Sequence, residues 1–245
     1  MEKLTSKDIK WIRSLHDKAG RKESDCFMVE GRKIVTEAIE QNRFELVMIV
    51  EIYSENTTLA SLPISSPIKH CSPAEMQRIS SLKNPTEILA VLRLPKINTP
   101  LIKQRVICLD NIQDPGNLGT IIRIADWFGI DTILASEQSA DCFNPKTIQA
   151  TMGSIFRVNI AYVNLETCLK EIKSPIYGAV MNGISIQETS MEADGVLVIG
   201  NEGKGISEAL MPYLSHRISI PRIGGAESLN AAVACGILVA KWNRL

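Results

Sequence analysis

From Val106 onward, short apolar runs alternate with segments of helical periodicity, and no other feature of the chain limits its fold as strongly. The runs fall at 106–109, 132–135, 156–160, 176–180, 196–199 and 217–220, and the spacing predicts helices near 118–128, 145–151, 165–172, 206–212 and 228–241. Strands that are apolar along their whole length, each followed by a helix, build a parallel sheet covered on both faces. In such a sheet the ligand site lies beyond the carboxyl ends of the strands.

Three of these strand ends run into turns rich in Gly and Asn. One reads DNIQDPGNLGTIIR from Asp110 to Arg123, the second VLVIGNEGKGIS from Val196 to Ser207, and the third HRISIPRIGGAESLNAAVACGILVAKW from His216 to Trp242. In the third, strand 217–220 stops at Pro221, a turn with Gly224 and Gly225 follows, and a small-residue apolar helix is expected to start near Ser228. Unpaired N–H groups at a helix start, glycines that admit a ligand to the backbone, and the polar side chains of Ser228 and Asn230 suit a binding corner. An ordinary helix capped by Ser228 would show the same residues. The second turn has the spacing G-x-x-G-x-G and lacks GxxxxGK[ST], so it is neither a phosphate loop nor a dinucleotide fingerprint.

Each polar candidate has a bland alternative. Arg123 sits among Leu118, Ile121, Ile122, Ile124 and Ala125, where a cation needs an anionic partner; that partner is either a substrate phosphate or Asp126. Asn117 stands near the expected N-cap of the same helix, so capping competes with substrate contact. Glu202 follows an apolar strand and either enters the pocket or interacts with a helix dipole.

Together, DPGNLGTIIR, IGNEGKG and IPRIGGAESLNAAVA resemble the three ordered motifs of the SpoU (TrmH) class of SPOUT methyltransferases. The resemblance implies a deep trefoil knot in the C-terminal parallel-sheet α/β domain, an exception to the rule against threaded chains. It implies S-adenosyl-L-methionine as cofactor, a homodimer with the site near the subunit contact, and transfer of a methyl group to a ribose 2′-OH of RNA. Asn117, Arg123, Glu202, Ser228 and Asn230 match the family's functional polar positions. Gly200, Ile220 and Leu229 match positions that hold the cofactor largely through backbone atoms. The family account assigns removal of the hydroxyl proton to the arginine at position 123. A guanidinium stays protonated at working pH, so gripping a phosphate and stabilising a developing alkoxide suit it better.

The first part of the chain reads as a smaller α/β domain. A basic amphipathic helix is expected over residues 4–19, then a polar stretch Arg21–Asp25, a strand at 26–29, a helix at 32–41 and a strand at 44–50. A short helix from Ser72 to Ser81 and a strand at 88–92 follow. FMVEGRKIVTEAI resembles the small ribosomal-protein-like RNA-binding domain that precedes the catalytic domain in many SpoU-class enzymes. The run RLPKINTPLIKQR, with two prolines and four basic residues, suits an extended linker. The expected organisation is therefore an RNA substrate-binding domain over 1–95, a linker over 96–105 and a methyltransferase domain over 106–245.

Formal net charge is zero, but its distribution is uneven. Residues 1–105 carry 17 basic against 13 acidic side chains and residues 106–245 carry 10 against 14, so polyanion contact is expected of the first part. No apolar run reaches the roughly 18 residues of a membrane span, and MEKLTSKDIKWIRSL lacks a signal-peptide apolar core, which points to the cytoplasm. Six scattered cysteines without a CxxC pair read as reduced thiols, and three histidines without ligand spacing predict no metal. Ribosomal RNA is favoured over transfer RNA as substrate by the first domain's resemblance. A non-catalytic RNA-binding or ribosome-assembly protein of the same fold is the competing reading.

Overall fold

The computed structural model describes residues 2–53, 66–95 and 104–243. In chain order the elements are β1 (Glu2–Lys3), α1 (Ser6–Ser14), α2 (Lys18–Ser24), β2 (Cys26–Glu30), α3 (Arg32–Gln41), β3 (Leu46–Ile52), β4 (Ile68–Cys71), α4 (Pro73–Ile79) and β5 (Ile88–Arg93). They continue with β6 (Arg105–Leu109), α5 (Pro115–Trp127), β7 (Thr132–Ser136), α6 (Pro145–Thr151), β8 (Asn159–Val163), α7 (Leu165–Glu171), β9 (Ile176–Ser185), β10 (Gly195–Ile199), β11 (His216–Ser219) and α8 (Ala231–Trp242). Residues 96–103 of the expected linker lie outside the described residues.

The chain forms two compact units. The first comprises Met1–Lys96 together with Phe143–Phe156, and the second comprises Ile97–Cys142 with Arg157–Leu245. Segment Phe143–Phe156, which continuity along the chain would assign to the second unit, thus belongs to the first. There Phe143 and Phe156 join Phe27 and Phe44 in an aromatic cluster with centroid distances of 4.7–6.1 Å. Gln149 Nε2 donates to the Glu30 carbonyl at 3.2 Å.

In the first unit a five-stranded sheet has the order β1-β4-β3-β5-β2, parallel where β4 meets β1 and β3 and antiparallel where β5 meets β3 and β2. Every residue of β2 is buried, and alternate residues serve opposite faces. Cys26 and Met28 pack with Ile9, Ile12, Leu15, Met76 and Ile79, whereas Phe27 turns to the aromatic cluster. The expected single helix over 4–19 is two helices, and the polar stretch Arg21–Asp25 falls mostly in α2. The cause is Arg21: it is buried, and its Nη1 donates to the carbonyls of Leu15 at 2.8 Å and His16 at 2.9 Å, groups left unpaired where α1 ends. The two-residue β1 and the short β4 lack a long apolar run, and the sequence did not reveal either.

The second unit is a six-stranded, wholly parallel sheet of order β11-β9-β10-β6-β7-β8. Val106, Cys108, Val196 and Val198 share one buried cluster with Leu165 and Leu169 of α7. Ile107, Leu109, Leu197 and Ile199, equally buried, turn to the opposite face. Helix α5 begins three residues earlier than expected, β9 runs on to Ser185, and three other elements differ. The strand placed at 156–160 is β8 at 159–163, because Ser154–Phe156 is a 3-10 turn of the first unit. The helix expected at 206–212 is absent: these residues form turns and a 3-10 turn at Met211–Tyr213, with Ile206 and Leu210 anchored in the core. The last helix begins at Ala231, three residues later than expected.

None of the six cysteines is in a disulfide and five are buried; burial pushes the Cys235 thiol up to about 12. Among the described residues no helix is long and apolar enough to cross a membrane, and no group of three or more His, Cys, Asp or Glu side chains could hold a metal ion.

Candidate active site

The central strands of the parallel sheet, β6 and β10, pair through to Ile199 and Leu109, so their carboxyl ends lie side by side. Beyond β10 the chain closes on itself. Asn201 and Gly205 exchange two main-chain hydrogen bonds, at 3.0 and 2.9 Å, and Asn201 Oδ1 accepts from the N–H groups of Gly203 and Lys204, both at 3.0 Å. Asn201 Nδ2 reaches across to the carbonyl of Asn111, at the end of β6, at 2.8 Å. Asn111 itself adopts a left-handed conformation with φ of 60°, a position that Asn tolerates better than most residues. The Gly200 hydrogen faces this turn so closely that a Cβ would overlap the Gly205 carbonyl carbon and the Ile206 nitrogen.

Glu202, held by this turn, starts a relay. Its Oε1 accepts from Asn117 Nδ2 at 2.8 Å, Asn117 Oδ1 accepts from Asn230 Nδ2 at 2.8 Å, and Asn230 Oδ1 accepts from the N–H groups of Ala232 at 2.9 Å and Val233 at 3.2 Å. The relay fixes both amide orientations: each Nδ2 faces an acceptor, and Asn230 Oδ1 faces the unpaired donors at the start of α8. It joins the loop after β10 to the first turns of α5 and α8, which pack on each other. Gly236 of α8 lies against Ile124 of α5, so the small residues of α8 serve contact with a helix of the same chain.

The geometry tests the bland alternatives one by one. Asn117 is not a cap: Asp114 caps α5 and its Oδ1 accepts from the Asn117 N–H at 2.7 Å. Ser228 is not a cap either, because Asn230 caps α8; Ser228 is exposed and makes no hydrogen bond among the described residues. Glu202 opens no helix of its own, but its carboxylate meets the first turn of α5 through Asn117, so the dipole of that helix acts on it alongside the hydrogen bond. Asp126 binds Arg157, with nitrogen–oxygen distances of 2.8–3.0 Å. Arg123 has no hydrogen bond or ion pair among the described residues. Its apolar neighbours in sequence turn into the core, while Arg123 stands on the solvent side of α5 with Thr120 and Trp127, the last 81% exposed. The structure thus joins Asn117, Glu202 and Asn230 directly, and no direct contact ties Arg123 or Ser228 to them. Asn201 was overlooked in the sequence; an Asn followed two residues on by Gly was the available signal for a side chain that folds its own turn.

The loop after β11 is built differently. Residues 221–230 are all exposed. Among the described residues, no main-chain group of 221–229 bonds to another main-chain group, and the Ala226 carbonyl accepts from the Arg222 guanidinium at 3.3 Å. A Cβ at Gly224 or Gly225 would meet nothing within 4 Å. Ile220 is half-buried at the start of this loop and Leu229, 47% exposed, stands at its end.

The SpoU rRNA methylase family matches residues 104–240. The chain belongs to this family. An MRM3-like substrate binding domain matches residues 6–90 of the same SpoU protein. Among its relatives is the 23S rRNA (guanosine(2553)-2′-O)-methyltransferase RlmP of Bacillus subtilis (strain 168), 32% identical over 243 residues that cover 98% of this chain and 97% of the relative. A putative RNA methyltransferase of the TrmH family from Porphyromonas gingivalis superimposes with a TM-score of 0.90 at 35% identity, covering 98% of each chain. An AdoMet-bound rRNA methyltransferase from Sinorhizobium meliloti gives 0.87 at 28% identity, covering 100% of this chain and 97% of that one. As a SpoU methylase the protein is an S-adenosylmethionine-dependent RNA methyltransferase. Its residues fit that cofactor: an adenine ring needs neutral donors and acceptors along an accessible edge, and the unpaired main chain of 221–229 offers both.

Proposed function

We propose that this protein transfers a methyl group to a ribose 2′-OH of ribosomal RNA, that it works as a homodimer in the cytoplasm, and that Arg123, Asn117, Glu202, Ser228 and Asn230 carry the reaction. The observation that supports this most is the relay from Glu202 through Asn117 to Asn230, which ties together side chains from three loops distant in sequence and uses all three as more than caps. The naming of the Bacillus relative as a 2′-O-methyltransferase of 23S rRNA supports the ribose hydroxyl and ribosomal RNA.

S-adenosylmethionine, when bound, supplies an electrophilic methyl group. In this reading the main chain of Gly200, Ile220 and Leu229 holds it beside the relay. Glu202, its carboxylate held by Asn117, presents a fixed negative edge where the loop after β10 meets α5. Ser228, its hydroxyl uncommitted, is free to bond the incoming ribose. Arg123, also uncommitted, grips the phosphate next to that ribose with its planar fork and lowers the cost of negative charge growing on the 2′-oxygen. Alignment of the hydroxyl with its methyl donor is where most of the rate gain arises. The exposure of the apolar side chains Trp127 of α5 and Val233 and Ile237 of α8 supports a contact with the second copy through these helices, with Arg123, one turn from Trp127, beside it.

The test is methyl transfer to ribosomal RNA from cells lacking the gene, followed by mapping of 2′-O-methyl positions. Arg123→Lys is expected to lower the rate roughly 100-fold while the melting temperature and cofactor affinity hold, since a point charge replaces a bidentate fork. Near-normal turnover would remove Arg123 from the mechanism, and absence of any labelled ribose in the wild-type reaction would remove the function.

A further inference from the structure

Between α1 and α4 of the first unit lies an open groove of about 370 Å³, with the largely buried Ile9 on its lining and cations along it. Ser6, Lys10 and Arg13 follow one another at helical spacing on α1, and Arg78 comes from the last turn of α4. Lys10, Arg13 and Arg78 are all exposed, and none makes a side-chain hydrogen bond or ion pair among the described residues.

The acids on the same two helices are committed elsewhere. Asp8 accepts from the Thr5 N–H and hydroxyl and from Lys69 Nζ, the last at 2.9 Å. Glu75 accepts from the N–H and hydroxyl of Ser72, both at 2.8 Å, and its carboxyl is held below the usual range by those bonds. Glu75 lies one turn from Arg78 and feels its charge, but among the described residues no carboxylate bonds to any of the three cations, so the groove carries a net positive charge. A basic residue in a helix's last turn is favoured by the dipole, which accounts for Arg13 and Arg78 singly. Lys10, in the middle of α1, has no such explanation, and neither does the convergence of all three on one groove.

We propose that this groove seats the phosphate backbone of the RNA substrate, with Lys10, Arg13 and Arg78 each facing a phosphate. The assignment rests on the RNA reading above and adds to it the surface that positions the substrate. Groups of this kind contact the backbone and carry no base readout, so they set affinity and register but leave sequence choice to other contacts.

The experiment compares the full-length protein with a variant carrying Lys10→Gln, Arg13→Gln and Arg78→Gln, using a single-stranded oligouridylate across a salt series and ribosomal RNA for methyl transfer. Each lost phosphate contact lowers the slope of log K against log salt by about 0.7 on a single strand, so the slope should flatten by about 2 and affinity at 0.1 M salt should fall at least roughly tenfold. Cofactor affinity and melting temperature should not move. A control with Lys18→Gln, Lys22→Gln and Lys83→Gln removes the same charge elsewhere on the unit; an equal loss there, or no loss in the groove variant, overturns the groove. Loss of binding to phosphatidylglycerol vesicles with RNA affinity intact overturns it in favour of a membrane. If the groove variant loses RNA binding while the wild type transfers no methyl group, the groove stands and the enzymatic reading fails.

Discussion

Two Gly-containing loops at strand ends, Gly200–Gly205 and Pro221–Asn230, look alike as sequence and differ in nearly every physical respect. The first is closed: its main chain pairs with itself, Asn201 bonds to four groups around it, and Gly200 is compelled by a carbonyl lying where a side chain would go. The second is open: its residues are exposed, its main chain over 221–229 does not bond to other main chain among the described residues, and its glycines face empty space. A glycine can be required by the protein's own chain or serve what comes from outside, and only surroundings tell the two apart. The closed loop is a mount for Glu202; the open loop is the one proposed to receive the cofactor.

The sharpest way to break this contrast is a pair of alanines. Gly200→Ala forces a carbon into occupied backbone and is expected to cost about 2–4 kcal/mol in urea unfolding, whereas Gly225→Ala, with nothing to strike, should stay within about 0.5 kcal/mol. Equal costs would erase the distinction. Asn201→Ala leaves the Asn111 carbonyl and the Gly203 and Lys204 N–H groups without their partner, an expected loss of about 1–3 kcal/mol together with lower turnover as Glu202 loosens. Unchanged turnover with that stability loss would make the closed loop a mere turn. Asn230→Ala should cost about 1 kcal/mol for a lost cap, but turnover should fall well beyond what the fraction unfolded explains. Turnover that tracks stability alone would return Asn230 to capping.

The parallel sheet was legible because strands buried on both faces are written as unbroken apolar runs; four of its six strands stand within two residues of where those runs fall, and β9 starts where expected but runs five residues further. The sixth, β8, slipped because Ile155 and Phe156 are apolar for a different reason: they belong to the core of the first unit. Residues 206–212 read as helix because Ile206, Leu210 and Met211 have helical spacing, yet the spacing records burial of a turn. Asn117 and Ser228 could be named but not given a role, since capping depends on where a helix begins to within one residue. That boundary was set by Asp114 in one case and Asn230 in the other.

By itself the sequence determined the class of fold and the kinds of side chain gathered at its strand ends, because burial and turn chemistry are local and leave periodic marks. Only the tertiary structure decided that Asn117, Glu202 and Asn230 form one relay, that Asp126 belongs to Arg157, and that segment Phe143–Phe156 joins the first unit. Hydrogen bonds between residues 85 and 113 positions apart leave no period in the chain; they exist only once the folded backbone has brought their partners within 3 Å.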